Sequence, residues 1–153
     1  MPVRPLREDE YAEWRATSAE RYADSMIEHG GVEPEPAHTK AERDFAQLLT
    51  DGLATADHSI FAVEHDGEVA GHLWLAERDG LGGRIMFVYE IAIGETYRGL
   101  GLGREAMLFA EEEARRLGLA RIELNVFGGN EVARNLYTSL GYGESAVYMV
   151  KKL

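Results

Sequence analysis

The segment YRGLGLGREA, residues 97–106, alternates glycines with leucines and carries an arginine on each side of the run. It follows an apolar stretch and precedes apolar residues at helical spacing, which predicts a strand-loop-helix junction. Glycines at such a junction let main-chain N–H groups approach an anion closely, and the N-terminus of the helix adds favourable partial charge. The sequence therefore predicts a phosphate-binding loop. The predicted contact residues are Arg98, Gly99, Leu100, Gly101, Leu102, Gly103 and Arg104.

Two other phosphate-binding loops can be compared with this one. The nucleotide P-loop needs a lysine and a hydroxyl residue after its last glycine, but Arg104 and Glu105 follow Gly103, which excludes it. The dinucleotide fingerprint needs its third glycine one residue later than Gly103. It also normally follows the first strand of a parallel sheet, whereas this loop follows the predicted fourth strand. The remaining pattern is R-x-x-G-x-G, formed by Arg98, Gly101 and Gly103, with a flexible turn that binds nothing as the alternative.

A second motif lies downstream, in NVFGGNEVARNLYTSLGY, residues 125–142. It matches the pattern N-x-x-A-x-x-L-Y-x-x-x-G-[FY]. Taken with IAIGETYRGLGLGREAM upstream, it resembles the GNAT N-acetyltransferase superfamily over about residues 84–143, and the rest of the chain agrees in element order. The matching positions of the second motif are Asn130, Ala133, Leu136, Tyr137, Gly141 and Tyr142.

The resemblance implies that acetyl-coenzyme A is the co-substrate and that its pyrophosphate lies on the glycine loop. It also implies a bulge that splays the fourth strand from the fifth, where the pantetheine arm pairs with the backbone of Ile91, Ala92 and Ile93. In the family a backbone N–H there faces the thioester oxygen. Asn130 is then expected to contact the pantetheine amides and cap its helix, and Tyr137 to protonate the departing thiolate.

Glu90 is the predicted catalytic base. An alkyl amine has a pKa near 10 and must lose a proton before it attacks a thioester. Glu90 interrupts the apolar run IMFVYEIAI, where an acid is costly unless it is exposed, paired or used. Strand alternation predicts that it faces away from Tyr89 and Ile91, and an outward-facing carboxylate is the alternative. Asn125 stands where some GNAT relatives carry a glutamate, and an amide cannot act as a base. The predicted base is therefore Glu90, which would act directly or through water.

Composition limits the other functions. The chain has no cysteine, so a covalent cysteine relay is excluded and direct transfer is expected. The net charge of −11 disfavours nucleic acid and favours a cationic acceptor. The five histidines show no ligand spacing, so we expect no metal. The charged start and the lack of a long apolar stretch predict no export signal or membrane span, and hence a cytoplasmic protein.

Periodicity predicts one domain over residues 1–153, with the order β-α-α-β-β-β-α-β-α-β. The crossover over 84–127 predicts a central parallel pair in a mixed, mostly antiparallel α/β (α+β) sheet flanked by about four helices. The predicted strands are 3–6, 59–64, 68–76, 84–93, 121–127 and 147–153. The predicted helices are 8–29, 39–49, 102–117 and 130–140, with residues 32–38 as a linker.

These observations predict an acetyl-coenzyme A-dependent N-acetyltransferase. The acceptor is expected to be a primary amine, either of a small cationic molecule or of a protein or peptide. A non-catalytic acyl-coenzyme A sensor with the same fold is the alternative, and a nucleotide-binding module is a third, disfavoured by the missing lysine. Homodimers are common in the family, but no feature of this sequence indicates one.

Overall fold

A computed structural model describes residues 2–153. Its sheet has the strand order β1-β2-β3-β4-β5. Successive strands from β1 to β4 pair antiparallel, whereas β4 and β5 pair parallel. The strands are β1 Val3–Pro5, β2 His58–His65, β3 Glu68–Gly80, β4 Gly83–Ile93 and β5 Ile122–Leu124. The helices are α1 Glu8–Gly30, α2 Pro34–Leu48, α3 Leu102–Arg116 and α4 Glu131–Ser139.

The β2–β3 hairpin forms where the sequence predicts it. Asp66 and Gly67 connect the two strands with φ angles of 51° and 81°. A two-residue turn with positive φ at both positions matches the right-handed twist of its strands, and Asp-Gly is a favoured pair for it. Strand β3 runs four residues beyond the predicted end at Ala76 because it pairs with β4 as far as Gly80 and Gly83.

The two faces of the sheet carry separate helices and separate cores. Helices α1 and α2 cover one face, where Trp14 and Phe45 pack against Trp74 of β3. Helix α3 covers the other, where Met107 packs among Leu73 and other strand residues, with α4 at the edge of that core. Because side chains alternate along a strand, neighbouring residues of β3 contribute to opposite cores.

The predicted linker over residues 32–38 is wrong. Helix α2 begins at Pro34, so most of that segment is helical and Thr39 lies inside the helix rather than at its start. Proline is compatible with the first turn because its fixed φ suits a helix and the missing N–H has no helical acceptor there. The prolines mark the start of the helix and do not interrupt it.

The predicted strands near the C-terminus need correction. Strand β5 is only three residues long, and residues 147–153 form no strand within the described chain. The apolar side chains of this segment are exposed, with Tyr148 98% and Met149 87% accessible. β-Forming residue types make a strand only when a neighbouring strand pairs with them, and this segment makes no such ladder. The parallel pair β4–β5 therefore lies at one end of the sheet rather than at its centre.

No helix within residues 2–153 is both long and apolar enough to cross a membrane. The single-domain boundary over residues 1–153 stays a prediction.

Candidate active site

A bulge in β4 sets the geometry of the site. Val88 pairs with Leu75 and Glu90 pairs with Trp74, so Tyr89 is the extra residue on β4. On the other side, β4 pairs with β5 only as far as Val88. The bulge bends β4 at the point where its pairing with β5 ends. The predicted bulge in the fourth strand is therefore confirmed, whereas the divergence of the fourth and fifth strands stays a prediction.

The backbone beyond the bulge is open on the β5 side. Ile91, Ala92 and Ile93 pair with β3 and with no residue of β5. In an antiparallel pair, alternate residues direct their N–H and C=O groups to the same neighbour, and the residues between them direct theirs away. At least one peptide group of this segment therefore points away from β3 on the side where β5 has ended, and an extended ligand could pair with it there.

The glycine loop, residues 98–104, lies beside Ile93 at the end of β4. Gly99 and Gly101 have φ angles of 81° and 79°, which glycine adopts without the strain that a Cβ imposes. A Cβ on either residue would meet no protein atom within 4 Å, so the backbone borders open space. Gly101 precedes α3, whose first N–H groups have no acceptor within the helix. These features fit a pyrophosphate group.

The two arginines of the loop are exposed and lightly anchored. The Nε of Arg98 donates to the carbonyl of Ile93 at 3.4 Å, and Nη1 of Arg104 lies 3.4 Å from Oγ of Ser139 on α4. Long contacts of this kind leave both guanidinium groups able to turn toward an anion. Between them, Leu100 is exposed, whereas Leu102 is buried and fastens the loop to the core.

Two predicted residues belong to α4 and its cap, and one of them, Tyr137, packs against the same core as Ile91. Oδ1 of Asn130 accepts a hydrogen bond from the N–H of Ala133 at 3.3 Å, so the predicted helix cap is confirmed. Tyr137 is half-buried, and its ring packs edge-on against Tyr142 at 5.9 Å. Burial raises the pKa of Tyr137 above its usual value, which keeps the phenol protonated. Helix α4 approaches the loop where Leu136 lies 3.4 Å from the Cβ position of Gly103.

Glu90 lies on the opposite face of the sheet, against α1. Its Oε1 accepts from Nε1 of Trp14 at 3.2 Å and from Nη2 of Arg21 at 3.1 Å. Its Oε2 accepts from Oγ of Ser18 at 2.6 Å and from Nε of Arg21 at 3.3 Å. The carboxylate is therefore held at both oxygens, and only 13% of its side chain is exposed. The catalytic role of Glu90 stays a prediction.

The sequence did not reveal the partners of Glu90. Ser18 and Arg21 come from a helix about seventy residues away, and no motif joins them to β4. Their spacing from Trp14, at four and seven residues, places all three on one face of α1, and this was the only available signal. The predicted alternation is partly wrong, because the bulge turns Tyr89 and Glu90 to the same face of the sheet, opposite Ile91.

No group of three or more histidine, aspartate or glutamate residues between residues 2 and 153 is arranged to hold a metal ion. The expectation of a metal-free site stays a prediction.

Comparison with known proteins places this geometry in a family. The sequence model of the Acetyltransferase (GNAT) family matches residues 8–142. The chain is 31% identical over 149 residues to the uncharacterized N-acetyltransferase YdgE of Bacillus subtilis, covering 97% of this chain and 95% of that protein. It is 29% identical over 150 residues to the uncharacterized N-acetyltransferase YycN of the same organism, covering 97% and 96%.

Comparison with solved structures supports the same family assignment as the sequence comparison. The crystal structure of the YycN protein superposes with a TM-score of 0.90 and covers 99% of this chain and 97% of that one. A mycothiol acetyltransferase of Nocardiopsis dassonvillei is 32% identical over 140 residues, but the chain covers only 39% of that protein. The chain therefore belongs to the GNAT family and is an acetyl-coenzyme A-dependent acyltransferase.

Proposed function

We propose that the protein transfers the acetyl group of acetyl-coenzyme A directly to a primary amine. The acceptor is a small cationic amine or an amine of a protein or peptide. The observation that carries the proposal is the open backbone of Ile91–Ile93, which begins at the bulge and leads to the glycine loop. An extended thioester arm and its pyrophosphate need these two features next to each other.

In this proposal the co-substrate supplies the activated acetyl group, and the chain supplies binding and proton transfer. The loop residues 98–104 hold the pyrophosphate through backbone N–H groups and two arginines. A backbone N–H of residues 91–93 donates to the thioester oxygen, and one such donor contributes about 3 kcal/mol to transition-state stabilisation. Asn130 contacts the pantetheine amides from the start of α4.

Tyr137 is proposed as the group that gives a proton to the thiolate. Its burial keeps the hydroxyl protonated, and a hydrogen bond from it stabilises negative charge as the sulfur departs. Glu90 is proposed as the acidic group that faces the acceptor, on the side of the sheet covered by α1 and α2. Side chains of α1 hold its carboxylate in place through hydrogen bonds. The net charge of −11 supports a cationic acceptor, because an acidic protein attracts cations to its surface.

Thiol release from acetyl-coenzyme A tests the proposal. The acceptor panel contains simple amines, polyamines, aminoglycosides and peptides with a free lysine or N-terminus, and calorimetry measures coenzyme A binding in parallel. We expect release with one class of amine and no competition from ATP or NAD for the coenzyme site. Binding without release on any acceptor would favour the sensor, and absence of binding would contradict the proposal.

A further inference from the structure

The hydrogen bonds to Glu90 occupy the lone pairs that would accept a proton. An ionised carboxylate offers about four lone-pair sites. Trp14, Ser18 and Arg21 together donate four hydrogen bonds to the two oxygens. Two of these come from the Arg21 guanidinium and gain strength from its charge. A proton could bind Glu90 only by displacing one of these donors.

A second candidate base lies on the same face of the sheet. His72 of β3 pairs with Ala92 of β4, and two residues along the strand, on the same face, Trp74 pairs with Glu90. Antiparallel partners have Cα atoms about 4.5–5.5 Å apart, so His72 lies beside the segment that would hold the thioester. Its partner on β2 is Ala62. With an alanine on each side, the half-buried imidazole has no large cross-strand neighbour.

The surroundings of His72 favour the neutral imidazole. Burial lowers the pKa of His72, and the charged groups that act on it are of both signs and come from three elements. No hydrogen bond joins its ring nitrogens to another side chain or to the backbone within residues 2–153. A neutral imidazole with an unoccupied nitrogen can accept a proton near pH 7. The charged groups are Glu90 on β4, Arg21 and Glu10 on α1, and Arg4 on β1.

We infer that His72 accepts the proton of the acceptor amine, and that Glu90 is a positioning residue fixed by α1. This inference rests on the proposed function. The ammonium group gives one proton to an imidazole nitrogen and becomes a neutral amine. Its nitrogen bonds to the acetyl carbon, the bond from that carbon to sulfur breaks, and the sulfur takes a proton from Tyr137. The nitrogen then loses a second proton, which restores the Tyr137 phenol, and imidazolium returns its proton to solvent.

The test compares thiol release by the wild-type protein and by His72→Ala, Glu90→Gln and His38→Ala across pH 5 to 9. His38 is exposed on α2 and serves as the matched control. Each rate is divided by the wild-type rate at the same pH, which removes the pH effects that the two proteins share. We expect His72→Ala to lower kcat by about 100-fold, within the range for a general base. The relative rate should be lowest at and below neutral pH and rise toward pH 9, because without His72 the variant depends on amine that the solution has already deprotonated.

Added imidazole gives a readout that a structural role would not change. Removing the side chain leaves a space between Ala62 and Ala92, and free imidazole should restore part of the activity of His72→Ala but not that of Glu90→Gln. Unchanged coenzyme A affinity and thermal unfolding would show that the variant is folded. A flat pH ratio with no rescue, or a pH-dependent ratio confined to Glu90→Gln, would overturn the inference. No thiol release by the wild type would contradict the proposed function instead.

Discussion

The two faces of the sheet build their sites from different parts of the chain. On the cofactor side, which faces α3 and α4, the proposed binding groups are mostly backbone atoms of residues 91–93 and 98–104. On the proposed acceptor side, which faces α1 and α2, the proposed site consists of the side chains around Glu90. A backbone site requires particular conformations and therefore glycines in a fixed order. A side-chain site requires only that distant residues meet in space.

Tyr137→Phe should have the largest effect on catalysis among the cofactor-side variants. The change removes one hydroxyl while keeping the ring in the core of the cofactor side. We expect kcat to fall by about 100-fold and coenzyme A affinity to remain nearly constant, because the phenol acts only as charge develops on sulfur. Thiol release and calorimetry measure these two quantities.

Tyr142→Phe is the matched control for that variant. Tyr142 packs edge-on against Tyr137, and its hydroxyl donates to Glu111 at 3.1 Å, away from the proposed chemistry. It should keep wild-type kcat. If both variants lost the same activity, the hydroxyl of Tyr137 would have a packing role and no part in proton transfer.

Gly101→Ala should weaken acetyl-coenzyme A binding by about tenfold, the equivalent of losing one hydrogen bond to a charged group. Its φ of 79° is unfavourable for alanine, and its Cβ would project into the open space proposed for the pyrophosphate. Gly118, at the other end of α3, has a φ of 74° and equally open surroundings.

Gly118→Ala therefore reproduces the backbone strain without touching the loop. Both variants should lose about 1–2 kcal/mol of unfolding free energy, the usual cost of an L-residue in this conformation. Calorimetric titration with coenzyme A separates them. Equal affinities in the two variants would mean that the glycine loop does not hold the co-substrate.

This contrast explains how much the sequence could predict. The loop, the cap at Asn130 and the crossover from β4 to β5 follow local rules, and the sequence predicted each of them. The cluster around Glu90 joins α1 to β4 across more than sixty residues, so no local pattern reveals it. The same limit applies to residues 147–153, whose strand prediction failed because the sequence does not show which strand would pair with them.

The bulge in β4 was predicted from the sequence only in part. The family resemblance predicted its presence, but simple alternation placed Tyr89 and Glu90 on opposite faces. One extra residue in β4 changes that alternation, and it brings the Tyr89 ring into stacking contact with Trp74 at 4.7 Å. A period-two pattern predicts the face of a residue only where the register is unbroken.

Ser18→Ala should have a smaller effect, which falls on stability and on the acceptor side. Ser18 is 1% exposed, and its hydroxyl donates to Glu90 at 2.6 Å. A hydrogen bond to a charged group contributes about 1.5–3 kcal/mol, so we expect a loss of that order in chemical denaturation. Coenzyme A affinity should not change, because the cofactor side is untouched. Thr17→Ala, at an exposed position of the same helix, should be nearly neutral, and equal losses in both variants would mean that Ser18 contributes only to the helix.

Glu10→Gln should have the smallest effect on activity, because this acceptor-side carboxylate is structural. Glu10 accepts two hydrogen bonds from Arg4, at 2.8 and 3.0 Å, and these lower its pKa to about 2 from the usual 4.5. A depressed folded-state pKa stabilises the protein above pH 4.5, and that stabilisation is lost as the pH falls from 4.5 to 2. Glu10→Gln should therefore show a flatter loss of stability over this interval in acid-unfolding measurements, with kcat at pH 7 unchanged. Glu13→Gln, exposed on α1, should keep the wild-type acid profile, and a change in kcat for Glu10→Gln would place Glu10 in the acceptor site with Glu90.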